Sequence, residues 1–470
     1  MKKKVVSLFL VAAMATGLLT GCGTESAETG TSSTGAAAET KKEEVKDDAK
    51  EEDVTLRFID ISTNPERQAY FEKTFEAFEA ETGITVEYEG VPWDNAADKV
   101  TVLGAANDLP DVMTMASQWM GQFTQAGWLM ELDDYYAKEL EPVVNVATTI
   151  AVESERALYD HVYRIPDGLM NAGIFYRKDW VEEIGYEIPT GADWTWQAYY
   201  DLVDALTDPS KNRYGSSFRG GRGAFDRVME VMHGFSGGYV YDEEGNFLFN
   251  SDECIAAFEE FCTMYTDGNA PKDSLSWGFT EMVDNFVGGL TGTLNNNTDV
   301  VPTLLQKMDE SQWGVLPMPT AADGKVYNNA GSSYAYAVAA TTEYPEEAKQ
   351  LISFLSQPEN SMEYCQIAGM LPIRNDVGDN EMYGEGGPYS GFLVQLDYDN
   401  LVAPAGYGAF DYTDMHQDMM HTEIQKYLLG QQSAADVMNH VGEELEARMK
   451  KYLADNPDAT VEAPRVPEYK

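Results

Sequence analysis

An α/β fold in a large bilobed body is what this sequence predicts, on three observations. Strand-like and helix-like segments alternate from Val54 onward, the pattern of sheets flanked by helices. Roughly 420 residues follow Asp53, enough for two domains or one bilobed body. Apolar residues make up 43% of the chain, enough to fill cores of that size.

The elements follow in order. Val54 to Asp60 alternates apolar and polar residues, then meets Ser62-Thr63-Asn64-Pro65, so a strand leads into a helix with proline in its first turn. That helix carries Tyr70, Phe71, Phe75 and Phe78 on one stripe and stops by Gly83. Ile84 to Tyr88 is a second strand, 95–106 a helix, and Pro110 to Met115 a third strand. This alternation argues for a parallel sheet. Val162 to Pro166 is extended, and Gly173 to Tyr176 is a strand. Helices are expected at 194–206, capped by Asp193, at 251–265 and at 279–286. Thr291 to Leu294, Trp313 to Pro317 and Tyr334 to Val338 are extended. Pro345 to Ser356 is helical, with Ala348, Leu351, Ile352 and Leu355 inward, and the tail at 414–454 is helical with a break near Gly430.

The first 53 residues differ. Lys2, Lys3 and Lys4 precede an apolar run from Val5 to Leu19, the layout of an export signal and too short to span a membrane comfortably. Leu19-Thr20-Gly21-Cys22 resembles the lipobox of bacterial lipoproteins. The resemblance implies removal of residues 1–21 as a signal peptide and lipidation of Cys22. From Gly23 to Asp53 there is no aromatic residue and almost nothing large and apolar. Such a segment cannot offset its ordering entropy, so 22–53 is expected to be a lipidated, disordered tether.

Composition excludes several classes. A net charge of −47 disfavours nucleic acid and anionic lipid as partners, leaving the lipid anchor as the only expected membrane contact. Cys254 and Cys262 fall in one expected helix, about 12 Å apart by helical rise and too far to bridge. There is no CxxC, and His416 and His421 do not share a helical face, so no metal site or cofactor is expected. GxSxG, P-loop and HExxH motifs are absent, and no carboxylate pair stands out as a catalytic pair.

The ordered segments resemble bacterial extracellular solute-binding proteins of the sugar-binding type, the family that includes maltose-binding protein. The pieces are Phe75-Glu-Ala-Phe78 with Thr82-Gly83-Ile84, Asp108-Leu-Pro-Asp111-Val112, Ile165-Pro166 and Phe175-Tyr176-Arg177-Lys178-Asp179. Trp194-Thr-Trp196, Phe286 to Leu294, Leu316-Pro317-Met318-Pro319, Glu347 to Leu355 and Gly369-Met-Leu-Pro372 follow. Arg177 stands where the family usually has asparagine. The resemblance implies a type II, two-lobed periplasmic-binding-protein-like fold whose lobes are hinged by crossing strands. It puts lobe one at 54–165 plus 311–357 and lobe two at 166–310 plus 358–470, with crossovers near Ile165, Glu310 and Gln357. It further implies a monomeric, non-enzymatic receptor on the outer face of the cell membrane, which closes on a carbohydrate and serves an ABC permease. An oligosaccharide is the expected ligand. A charged ligand (uronate, sugar or glycerol phosphate, polyamine, peptide) and an exported glycosidase are the alternatives.

Ligands in α/β lobes sit beyond the carboxyl ends of strands, and sugars need aromatic platforms beside groups that pair hydroxyls. Asp60 ends the first strand, as a hydroxyl acceptor or a helix cap. Trp93 follows the second, to stack on a ring or pack the loop, and Gln118 and Trp119 follow the third, in a region the family uses for ligand contact. Asp167 and Asn171 flank the first crossover. In Ser217-Phe-Arg219-Gly-Gly-Arg222-Gly, the two arginines either bind a ligand anion or balance an acidic surface. Asn295, Asn297 and Tyr334 are further candidates, with Ser332 and Ser333 beside the last. Tyr407 and Phe410 match the family's late aromatic loop, and Trp277 is a weaker aromatic candidate.

Overall fold

The computed structural model describes residues 54–469 apart from 377–379 and 385. The expected signal peptide, the expected lipidation site Cys22 and the expected tether lie outside the described residues.

Among the described residues the strands are β1 (Thr55–Asp60), β2 (Thr85–Gly90), β3 (Val112–Ala116), β4 (Arg164–Pro166), β5 (Ala172–Arg177), β6 (Tyr214–Ser216), β7 (Thr291–Asn297), β8 (Trp313–Leu316), β9 (Val326–Tyr327), β10 (Tyr334–Val338) and β11 (Leu401–Val402). They form a five-stranded sheet of order β2-β1-β3-β10-β4, a four-stranded sheet of order β6-β7-β5-β8, and the pair β11-β9. The large sheets are mixed, not parallel as expected. β1 runs parallel to β2 and β3, but β10 runs antiparallel to β3 and β4, and β5 antiparallel to β7 and β8. The reason is topological: β10 enters the first sheet from the second, so it arrives in the opposite sense to the strands linked by local helices.

Local chemistry sets the first unit. Asn64 Oδ1 accepts from the amides of Glu66 and Arg67 (2.8 and 3.1 Å), capping the helix Pro65–Thr82. Gly83 ends that helix at φ 77°, a left-handed turn that glycine adopts without strain. Tyr70, Phe71, Phe75 and Phe78 are buried against Leu56, Phe58 and Tyr336. Elsewhere Thr195, not Asp193, caps the helix Trp196–Leu206, because its side chain meets the amide of Ala198.

The chain passes between the large sheets three times. It leaves the first between Pro166 and Ala172 and returns between Leu316 and Tyr334. The crossover expected near Glu310 is thus displaced, since Trp313–Leu316 pairs with β5 in the second sheet. The one expected near Gln357 is displaced as well. The helix Pro358–Ala368 buries Tyr364 and Cys365 in the cluster that holds Leu56 and Phe71, and only from Leu371 onward do side chains join the cluster around Phe175. Cys254, Cys262 and Cys365 are buried free thiols. Among the described residues no helix is long and apolar enough to cross a membrane.

Arg164, fully buried on β4, ties these parts together. It donates to the carbonyls of Met115 (2.9 Å) and Ser332 (2.6 Å) and pairs with Glu155 from the helix Val146–Tyr159. Removing one partner of such a buried pair leaves the other charge uncompensated. Arg164→Met is therefore expected to cost about 3–5 kcal/mol in urea unfolding. A loss under about 1 kcal/mol would show that the contact is incidental.

Candidate ligand-binding cleft

The carboxyl ends of β1, β2 and β3 and the start of β10 face the second sheet across a cavity of about 450 Å3. The first side contributes Ser62 to Asn64, Arg67, Trp93, Gln118 and Tyr334. The opposite side contributes Arg219, Gly223, Asp226, Arg227, Phe279 to Glu281, Asn296, Asn297, Asp299 and His416. A second chamber of about 340 Å3 adjoins it and shares Asp226 and Asn297; Asn171, His233, Asn328, Tyr407 and Tyr412 are among its walls.

Ion pairs shape the first chamber. Arg67 binds Asp60 with two nitrogens, Nε to Oδ2 at 3.2 Å and Nη2 to Oδ1 at 2.5 Å. Asp60 also accepts from Thr114 Oγ1 (2.9 Å) and, more distantly, from Tyr88 Oη (3.5 Å). Burial raises the Asp60 carboxyl, opposed by Arg67 and these hydrogen bonds. Asp60 is thus a buried clamp that orients Arg67, and it is Arg67 that reaches the cavity wall.

On the other side, Arg227 pairs with Glu230 (2.7 Å) and donates to the carboxamide oxygens of Asn295 (3.3 Å) and Asn297 (3.4 Å). Asp226 sits 3.0 Å from His416 Nε2 and accepts from Tyr407 Oη at 3.2 Å. Burial raises the Asp226 carboxyl, but His416, Arg227 and Arg219 outweigh it and leave the group at about 2. Burial dominates at Asp299 and carries its carboxyl up to about 6. Arg219 donates Nε to the carbonyl of Arg222 (2.6 Å). Burial and the neighbouring Arg227 push its guanidinium down to about 10.

The expected site residues therefore divide. Trp93, Gln118, Arg219, Asn297 and Tyr334 line the first chamber; Asn171, Asn297 and Tyr407 line the second. Arg222 lines a neighbouring hollow with Gln417 and His421, and its guanidinium stands 6.0 Å from the Trp93 ring, across the gap between the sheets. Asp60 and Asp167 lie behind the wall. Asp167 accepts from Tyr364 Oη (2.7 Å), and burial raises its carboxyl to about 6. Asn295 is buried beneath the chamber, bonded to Glu230 at 2.6 Å. Trp119, Phe410 and Trp277 are core residues, because their rings fill hydrophobic clusters. Asn295 to Asn297 belong to β7 itself rather than to a loop after it, and Trp93 opens the helix Trp93–Ala105.

Sequence reasoning missed Arg67, Asp226, Arg227, Asp299 and His416. Arg227 and Glu230 stand three apart on the helix Ala224–Ser236, a spacing that signals a pair but not a cleft.

The chain belongs to the bacterial extracellular solute-binding proteins, whose family model matches residues 62–362. Among its relatives is a putative binding protein of Brucella abortus, 23% identical over 409 residues, 86% of this chain and 94% of the relative. A galactooligosaccharide-binding protein of Bacillus subtilis is 23% identical over 64% of this chain and 70% of its own. Maltose-bound MalE3 of T. maritima superposes with TM-score 0.72 at 21% identity, covering 84% of this chain and 99% of that one. An ABC substrate-binding protein of Listeria monocytogenes in complex with cycloalternan gives 0.71 at 20% identity, covering 85% and 99%. The fold is the two-lobed one of these proteins.

Two expectations follow from the clamp and from the second chamber. Asp60→Asn leaves Arg67 buried without its counter-charge and is expected to cost about 3–5 kcal/mol. Adding Arg67→Met should restore a large part of it in urea unfolding, whereas additive losses would mean the two residues act separately. His233 is buried against Phe249 and Tyr327, and burial lowers its imidazole to about 3. Its folded pKa lies below the unfolded one, so the unfolded chain takes the proton first. Stability is then lost as pH falls from about 6.5 towards 3. Between pH 7 and 4.5 the protein should lose about 2 kcal/mol more than His233→Gln does. Equal losses would contradict this.

Proposed function

We propose that this protein captures a carbohydrate, an oligosaccharide by class, between its lobes and delivers it to the permease of an ABC importer. The observation that carries this reading is the paired chambers between the sheets, which set aromatic rings beside polar atoms left without protein partners. Among the described residues, Trp93 Nε1, Gln118 Oε1, Asn171 Oδ1 and Asp299 Oδ1 are buried and unpartnered. Buried polar atoms in that state are costly until something pairs them, and hydroxyls both donate and accept. The names of the sugar-binding relatives favour the same ligand class.

In this proposal lobe one is built on the β2-β1-β3-β10-β4 sheet and lobe two on the β6-β7-β5-β8 sheet. Ligand binds better to the closed arrangement and shifts the population towards it. Contacts that span the two sides agree with closure: Gln306 Nε2 donates to Glu66 Oε1 (2.9 Å) and Gln125 Nε2 to the Ala409 carbonyl (3.2 Å). The protein works as a monomer without chemistry of its own. Lipidation of Cys22 holds it at the outer face of the cell membrane, with residues 22–53 as the tether.

A thermal-shift screen against mono- and oligosaccharides, amino acids and polyamines tests this. Binding to the folded state alone raises the melting temperature by mass action. One saccharide class should raise it, with the sugar recovered unchanged. A rise only with amino acids or polyamines, or conversion of the sugar to product, would contradict the proposal.

A further inference from the structure

Among the described residues Arg219 is a cleft arginine that no carboxylate pairs with directly, although Asp226 and Asp299 stand on the same wall. The chain holds 79 acidic residues against 32 lysines and arginines, so carboxylate partners are plentiful. Arg57, Arg164, Arg177, Arg213, Arg374 and Arg448 each meet one. Inside the cleft Arg67 has Asp60 and Arg227 has Glu230. Arg219 makes no ion pair among the described residues and spends only Nε, on the Arg222 carbonyl. Its two terminal nitrogens, the pair that grips an oxyanion, are uncommitted.

The loop is built to hold it there. A side chain on Gly220 would strike the Leu275 carbonyl, with Cβ at 2.4 Å, and one on Gly223 would strike the Arg219 guanidinium at 2.8 Å. Gly223 also takes φ 80° as it opens the helix Ala224–Ser236. The start of that helix, where the backbone dipole is positive, lies on the same wall. Asp226 and Asp299 face the cavity too, yet neither pairs with Arg219, and Asp226 is engaged by His416 and Tyr407.

Building on the carbohydrate reading above, we propose that the captured saccharide is acidic: Arg219 grips an oxyanion on it, a carboxylate or a sulfate or phosphate ester, in the first chamber. The adjoining chamber, walled by Asn171, Asn328, Tyr407 and Tyr412, takes neutral hydroxyl-bearing rings.

Calorimetric titration of the purified protein tests this. The probes are di- and trigalacturonate, di- and triglucuronate, their neutral methyl esters, and maltose with its 6-phosphate and 6-sulfate. At least one acidic probe should bind about 10–100-fold more tightly than its neutral counterpart, the scale of a charge-assisted contact. Which probe shows the preference tells carboxylate from ester. Arg219→Gln should abolish that preference, while Arg219→Lys keeps part of it. Equal binding of acidic and neutral probes by the unaltered protein overturns the inference but leaves carbohydrate capture standing. No binding of any saccharide overturns both. The comparison within the unaltered protein is decisive even if a variant fails to fold.

Discussion

The cleft depends on one buried ion pair, Asp60 with Arg67. Asp60 ends β1 and is bonded to Thr114 of β3, whose hydroxyl also receives the amide of Ile61. One carboxylate thus joins adjacent parallel strands and the helix that follows, at the place where their carboxyl ends open onto the cavity. A charged pair is expensive to bury, and it holds here because both Asp60 oxygens accept hydrogen bonds and two Arg67 nitrogens donate to them. Its effect is positional: Arg67 reaches the wall with its charge already neutralised.

The opposite wall follows a similar rule with one exception. Arg227 is neutralised by Glu230 and braced by two carboxamides of β7, and Asp226 is held by His416 and Tyr407. These groups come from a helix, a strand and the C-terminal region, brought together because the chain crosses between the sheets three times. Each crossing places distant segments at one opening, which lets a cavity draw on residues 62 and 416 alike. Arg219 is the group left over, and the ligand's chemistry is inferred from it.

Much of the fold was legible because it rests on local rules. The alternation of β1, the Asn64 cap with Pro65, and the stop at Gly83 each have a direct physical cause in neighbouring residues. Strand direction was not legible: β10 looks like any apolar strand, and only its arrival from the second sheet makes it antiparallel. The second and third crossings were misplaced for the same reason, since Trp313–Leu316 and Tyr364 find their sheets through distant partners. In the candidate cleft, Trp93 and Gln118 line the cavity from just past strand ends, and Asn297 lines it from the last position of β7. Trp119 and Phe410 misled, because an aromatic ring beyond a strand end serves a core as readily as a sugar. Arg67, Asp226 and Arg227 escaped notice because nothing in a helix sequence marks which turn faces a cleft.

Hydrogen exchange with and without a bound saccharide shows whether the ligand sits between the two sheets and is gripped from both. Segments 61–64, 219–227, 296–299 and 331–334 should gain protection together, at one ligand concentration. Protection confined to one side, or to a surface away from these segments, would contradict this placement.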